Sequence, residues 1–413
     1  MAVTAPGTLD EEFLAFLHRQ PADPRPFYAR LREQAPVYRT PLGYWFVTSY
    51  SSAQQLWRRD DLFSRRPVTG GARNPLRDRG GHVAAFFQEV LLAKDGDDHQ
   101  RVRGLVDEVF GPRSIARMRA AVEETVDELL TAAVDAGGRS MDLVEDFARP
   151  LPTKVILRIC GLGDDYYDHF TEVADTVVEC FASTGAEHVA DDLAERAERV
   201  FGECADLVLN LADERRASEG DDLFSTLVRL QAAEPDRLTR SELVTMMMFL
   251  VTAGFETTMH TAANGVYHLL RDRTQWDRLR SDPALLPSAV TEILRYEPGV
   301  AVSSMMYAAT DVPVGGVVIP RGDGLLISNH AANHDPERFP DPHQFDIGRV
   351  GGGQLSFGRG RHTCLGAHLA RLELEVVLAK LTARVPGLKL GTHEPEWRQS
   401  HVLRGFGSLT VSW

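Results

Sequence analysis

A chain of 413 residues with 43% hydrophobic and 25% charged residues has the balance of a folded globular protein, which excludes a disordered or fibrous one. Its formal net charge of -14 leaves no general basic surface for phosphates, so nucleic acid is not expected as a partner. The cysteines Cys160, Cys180, Cys204 and Cys364 are too widely spaced for a disulfide scaffold or a paired zinc site, and a reducing compartment, the cytoplasm, fits them.

The opening MAVTAPGTLDEEFLAFLHRQ has no basic leader and no long apolar run, so it does not read as a signal peptide. GYWFVTSY (43–50) reads as a strand, and RRPVTGGARNPLRDRGGH (65–82) as a Gly, Arg and Pro loop of functional length. From about residue 100 to 300, VEETVDELLTAAVDAG, ADDLAERAERVFGECADLVLNLADERR and SELVTMMMFLVTAGFETTMHTAANGVYHLL repeat apolar residues at helical spacing. The most apolar run, Met246 to Phe255, is too short to cross a bilayer, and no membrane is expected. Strand signals return at DVPVGGVVIPRG (311–322) and GSLTVSW (407–413). With no internal repeat and no long linker, residues 1–413 are expected to form one domain, mainly α with a small β-rich part.

FGRGRHTCLG (357–366) concentrates the chemistry. Gly358 and Gly360 can adopt conformations closed to other residues, and Gly366 removes a side chain near the start of the helix LGAHLARLELEVVLAKL. Cys364 stands just before that helix, where free N–H groups and the helix dipole favour a thiolate. It could be a small buried residue, a nucleophile or a metal ligand. No signature of a cysteine hydrolase accompanies it, whereas one thiolate approached past glycines suits an iron porphyrin.

The string Phe357-Gly358-x-Gly360-x-His362-x-Cys364-x-Gly366 resembles the heme-binding loop of the cytochrome P450 superfamily. Ala253-Gly-Phe-Glu256-Thr257-Thr258 is similar to the family's oxygen-side helix motif, and Glu292-Ile-Leu-Arg295 to its Glu-x-x-Arg pair. Ala332-Asn-His-Asp335-Pro336 and Phe345-Asp346-Ile-Gly-Arg349 resemble the stretch before the heme loop in soluble bacterial members. The resemblance implies the cytochrome P450 fold and heme b (iron protoporphyrin IX), with Cys364 as axial ligand and metal site. Phe357, Gly358, Gly366 and Ala253 would then lie along the ring. It also implies that Arg349 joins Glu292 and Arg295 in a buried structural group.

Thr257 lies four residues beyond Ala253, so its hydroxyl can bond that carbonyl and open a bend in the helix, while Glu256 could relay protons. The competing reading is the polar edge of a buried helix. His99 and Arg103 share one helical face, and with His362 they are candidates for holding the heme propionates, against the alternative of a solvated surface. Three positions depart from the family pattern: Met306 where an arginine commonly meets a propionate, Gly299 where a second proline is common, and His334 for an arginine.

The implied activity is monooxygenation of a small organic substrate, in secondary-metabolite biosynthesis or tailoring. Electrons would come from NAD(P)H through a ferredoxin or flavodoxin-like donor with its reductase, docked on Arg103, Arg359, Arg361 and Arg371. Oxidative coupling or rearrangement without oxygen insertion, and a non-catalytic heme protein, are the alternatives. Substrate contacts are expected from residues 65–93 and 165–200, Phe249, Ala253, residues 299–305 and the turn Gly405 to Ser408. Phe86, Phe87, Met305 and Phe406 could line an apolar pocket or belong to the core.

Overall fold

Trp45, Phe46 and Val47 are all buried, so this strand must be covered on both faces, and the period of two assigns them alternately. Trp45 and Val47 join an apolar cluster with Leu56, Trp57, Phe63, Leu325 and Leu355, while Phe46 joins another with Phe13, Phe27, Tyr28 and Val302. The computed structural model that shows this describes residues 8–68, 76, 80–135, 137–182, 190–216, 220–393, 395–398 and 400–413. The chain divides into two compact units.

The first unit comprises Met1–Gly71, His260–Cys364 and Pro386–Ser412. Its main sheet has five strands. Trp45–Val47 pairs antiparallel with Val37–Arg39 and parallel with Gly324–Ile327, which pairs antiparallel with Met306–Ala308, and Phe63–Ser64 closes the edge. The expected strand at 311–322 is a two-stranded hairpin, Val312–Val314 against Val317–Ile319. Its turn needs Gly315 and Gly316, with φ of 55 and 81 degrees. The strand expected at 407–413 is Thr410–Ser412, paired with Lys389–Leu390.

The second unit comprises Ala72–Met259, Leu365–Val385 and Trp413, and is helical. Asp191–Arg215 packs against Tyr167–Ala182 and Gly81–Glu89. Residues 65–93, read as loop from composition, thus contain a helix, although 69–75 and 77–79 lie outside the described residues. That helix has no cap of its own. Glu198 supplies one, its two carboxylate oxygens accepting the N–H groups of His82 at 2.8 Å and Val83 at 3.2 Å. A Cβ on Gly81, at φ 74 degrees, would overlap that carboxylate. Phe86 and Phe87 turn inward to Phe201 and Phe181, edge to face.

Ala367–Arg384 packs on Arg119–Asp135, with Lys380 and Arg384 both reaching Asp127, at 2.6 and 3.2 Å. It is buried around much of its circumference, and Glu373 is buried among Leu372, Leu374, Val376 and Val377 on the same helix. Glu373 Oε1 has no hydrogen-bond partner among the described residues, and burial pushes its carboxyl up to about 8. A carboxyl raised in the folded state stabilises fully below its unfolded value near 4.5, and that contribution is lost as pH rises toward 8. Glu373→Gln therefore raises the melting temperature at pH 8 and leaves it nearly unchanged at pH 4. Thermal scans at the two pH values check this; an equal shift at both would contradict a buried, protonated carboxyl.

Candidate active site

The loop ending at Cys364 is held from its beginning by one buried amide. Asn333 Oδ1 accepts the Leu355 N–H at 2.8 Å and its Nδ2 donates to Ser356 Oγ at 2.9 Å, while Ser356 Oγ donates to the Leu294 carbonyl. Beneath it lies the Glu-x-x-Arg pair. Arg295 grips Glu292 through two bonds, Nε to Oε2 at 2.7 Å and Nη2 to Oε1 at 2.8 Å, and both side chains are 2% exposed. Arg349, itself half-buried, reaches Glu292 Oε1 at 3.3 Å, so the expected three-residue group is assembled around a buried pair and not a surface one.

Further along, Gly358 and Gly360 hold φ of 63 and 81 degrees, which glycine alone adopts without strain. Their turns bring the Cys364 N–H back to the Phe357 carbonyl at 2.9 Å and the Thr363 N–H to the Gly360 carbonyl at 3.1 Å. Phe357, Gly358, His362 and Cys364 therefore share one closed loop. Cys364 is exposed, whereas Cys160, Cys180 and Cys204 are buried and their thiols are pushed up by burial to about 12. Of the four, Cys364 alone is exposed for ligation.

In the second unit the helix Arg240–Arg271 carries Ala253, Glu256 and Thr257. Thr257 Oγ1 donates to the Ala253 carbonyl at 2.9 Å, as its spacing predicts. The helix nevertheless stays α-helical without a break through this turn, because the Oγ1 bond adds to the ladder and does not replace it. Ala253 is exposed, and a Cβ on Gly254 would meet nothing within 4 Å, so this helix face has room for a flat group. Glu256 is buried and Phe249 half-buried. His99 is buried at 3% exposure on Gly96–Gly104, one turn from Arg103, which pairs with Asp107. Gly366 caps Ala367–Arg384 with ordinary φ, and a Cβ there would meet open space.

Four positions left open by the sequence lie in the core. Met306 is 1% exposed and belongs to the apolar cluster that holds Trp57 and Leu325. Phe406 is core, its ring tilted against those of Trp397 at 4.2 Å and Tyr267 at 4.9 Å. Phe86 and Phe87 are also buried, in the aromatic group described above. Sequence reasoning also missed Arg65 and Trp57. The register of Phe63–Ser64 on Met306–Ala308, continued by one residue, sets Arg65 across from Met306. Arg65 is 8% exposed, its guanidinium lies over the Trp57 ring at 5.9 Å, and that ring lies against Gly358 of the thiol loop. No local motif marks them, since Arg65 is placed by a neighbouring strand and Trp57 by a loop remote in sequence.

The residues present fit a heme: a lone exposed thiol on a glycine-turned loop, and a helix face with room beside Ala253 and Gly254. The family described as Cytochrome P450 matches residues 44–384. The chain is a cytochrome P450. This P450 is 37% identical over 396 residues to the 6-deoxyerythronolide B hydroxylase of Saccharopolyspora erythraea, covering 93% of this chain and 94% of that one. It is 36% identical over 413 residues to the cytochrome P450 monooxygenase PikC of Streptomyces venezuelae, covering 98% and 93%. The crystal structure of the myxobacterial cytochrome P450 CYP267B1 in complex with myristic acid matches at a TM-score of 0.87 and 33% identity, over 97% of this chain and 99% of that one.

The P450 is accordingly an oxidoreductase with a heme-thiolate cofactor, mainly α-helical with small sheets, similar to bacterial members of the family. None of its described helices is long and apolar enough to cross a membrane. An exposed Glu-x-x-Arg pair would contribute a few tenths of a kcal/mol, whereas removing one partner of a buried pair costs roughly 3–5 kcal/mol. Arg295→Leu is therefore expected to lose about 3–5 kcal/mol in urea unfolding of the heme-loaded protein. A loss below about 1 kcal/mol would return the pair to the surface reading.

Proposed function

We propose that this P450 inserts one oxygen atom into a small organic secondary metabolite, with residues 1–413 acting as one catalytic domain in the cytoplasm. The observation that carries this reading is the exposed Cys364 thiol, set by the Gly358 and Gly360 turns in a loop anchored on Asn333. The names of relatives support secondary metabolism, since 6-deoxyerythronolide B hydroxylase and a polyketide biosynthesis cytochrome P450 are among them. Cys364 would hold the iron of heme b, a group that when bound activates dioxygen with electron density from the sulfur. Phe357, Gly358, Gly366 and Ala253 would border its ring, and His99, Arg103 and His362, with Arg65, would hold its propionates through charge-assisted bonds.

Thr257 and Glu256 are assigned the protons. The Thr257 hydroxyl is held against the Ala253 carbonyl, which would orient it to relay a proton at that point. Glu256 stands beside it as the group that can exchange protons with the interior. For each turnover the substrate gains one oxygen atom, the other leaves as water, and two electrons and two protons are consumed. The electrons would come from NAD(P)H through a ferredoxin or flavodoxin-like donor and its reductase, docking against the arginines Arg359 and Arg361 that flank Cys364 in sequence.

Thr257→Ala removes the hydroxyl and should divert reductant to peroxide. Hydrogen peroxide formed per NAD(P)H consumed, measured with any substrate that displaces the iron-bound water, is expected to rise about tenfold or more. An unchanged ratio would remove Thr257 from the proton path.

A further inference from the structure

Glu297 has a buried carboxylate, and around it two segments that flank the expected substrate space are fastened to one face of the long helix. Its Oε1 accepts from Arg404 Nε at 2.7 Å and lies 3.2 Å from His330 Nε2, with His268 Nε2 3.6 Å from Oε2. Burial alone would raise this carboxyl, but Arg404, His330 and His268 together hold it well below the usual range. The charge is thus kept, and paired, inside the unit.

The helix contributes three side chains on one face. Asn264 Nδ2 donates to two carbonyls, that of Arg404 at 2.9 Å and that of Glu297 at 3.3 Å. Thr261 Oγ1 accepts the N–H of Gly299 at 3.1 Å. His260 fills the space beside Gly405, where a Cβ would lie 2.0 Å from its ring. From Gly299 onward the chain runs between two neighbours. The Arg404 N–H meets the Gly299 carbonyl at 2.9 Å, the Ala301 N–H meets Val402 at 2.8 Å, and the Ser303 N–H meets Ile327 at 2.8 Å.

Gly299 does not occupy the left-handed region, so its conformation does not demand glycine. Its N–H is in use, however, and proline has none. We propose that Thr261 and Asn264 are positioning residues that, through the Gly299 N–H and the Glu297 and Arg404 carbonyls, fix the path of residues 299–305 and 403–406 and thereby set the shape of the space for substrate over the heme. This rests on the heme-thiolate reading above. It gives Gly299 a function: the residue keeps a donor that the proline common in the family would delete, and the segment is steered by the helix.

The test uses purified heme-loaded protein titrated with two iron ligands of different bulk, imidazole and 4-phenylimidazole, followed by difference spectra. Gly299→Pro and Thr261→Val each remove the bond, whereas Gly299→Ala and Thr261→Ser each keep it. The ratio of the two dissociation constants is expected to move about fivefold or more in the first pair, the effect of one lost buried hydrogen bond. It should stay within about twofold in the second pair. A role confined to stability would lower heme retention without moving this ratio. If Thr261→Val keeps the ratio within about twofold of the parent while the parent shows its thiolate spectrum, the positioning role is wrong and the heme-thiolate reading survives. A parent without that spectrum removes both. Should Gly299→Pro fail to fold, Thr261→Val decides.

Discussion

A buried guanidinium must have every donor satisfied, and Arg295 meets this with five bonds for its five N–H groups: two to Glu292 and one each to the carbonyls of Asn333, Pro342 and Gln344. Those carbonyls belong to the segment that leads to the thiol loop, so a charge pair on one helix dictates where that segment runs. Glu292 adds the Asp346 N–H at 3.1 Å and Arg349 at 3.3 Å. Asn333, whose carbonyl is one of these acceptors, then fixes Leu355 and Ser356 by its side chain. The thiol therefore rests on a chain of short polar contacts that an apolar replacement of similar volume could not reproduce.

The same economy governs the reactive groups. Cys364 differs from the other three cysteines by exposure and loop geometry, since burial holds those thiols near 12. Thr257 is held to Ala253 by a bond that costs the helix nothing, which orients a hydroxyl without breaking the element that carries it. Both sites thus depend on backbone position more than on unusual side chains.

Legibility in sequence followed the distance over which each feature acts. Cys364 with its glycines, Thr257 with Ala253, and Glu292 with Arg295 act within one turn of chain, and all were readable, as were the long helices. The Arg349 contact came through resemblance alone. Asn333 was quoted in a motif yet its clamp on Leu355 was not foreseen, because it spans 22 residues. The helix Gly81–Glu89 was hidden in Gly and Arg loop composition because its capping carboxylate, Glu198, lies more than a hundred residues away. Of the five strands in the main sheet, Trp45–Val47 was read within residues 43–50; the others are four residues or shorter, too short for alternation to show, and their partners are remote. Met306, a departure from the family pattern, lies in the core, and the cross-strand register that sets Arg65 across from it was not visible in the sequence.

The central claim is that the Cys364 sulfur ligates the heme iron, and the absorption spectrum of the reduced carbonyl complex tests it most directly. The account predicts a strongly red-shifted Soret band in the parent protein and its disappearance in Cys364→His, with heme still bound. A parent Soret band at the position typical of imidazole ligation, or a Cys364→His protein that keeps the shifted band, would contradict it.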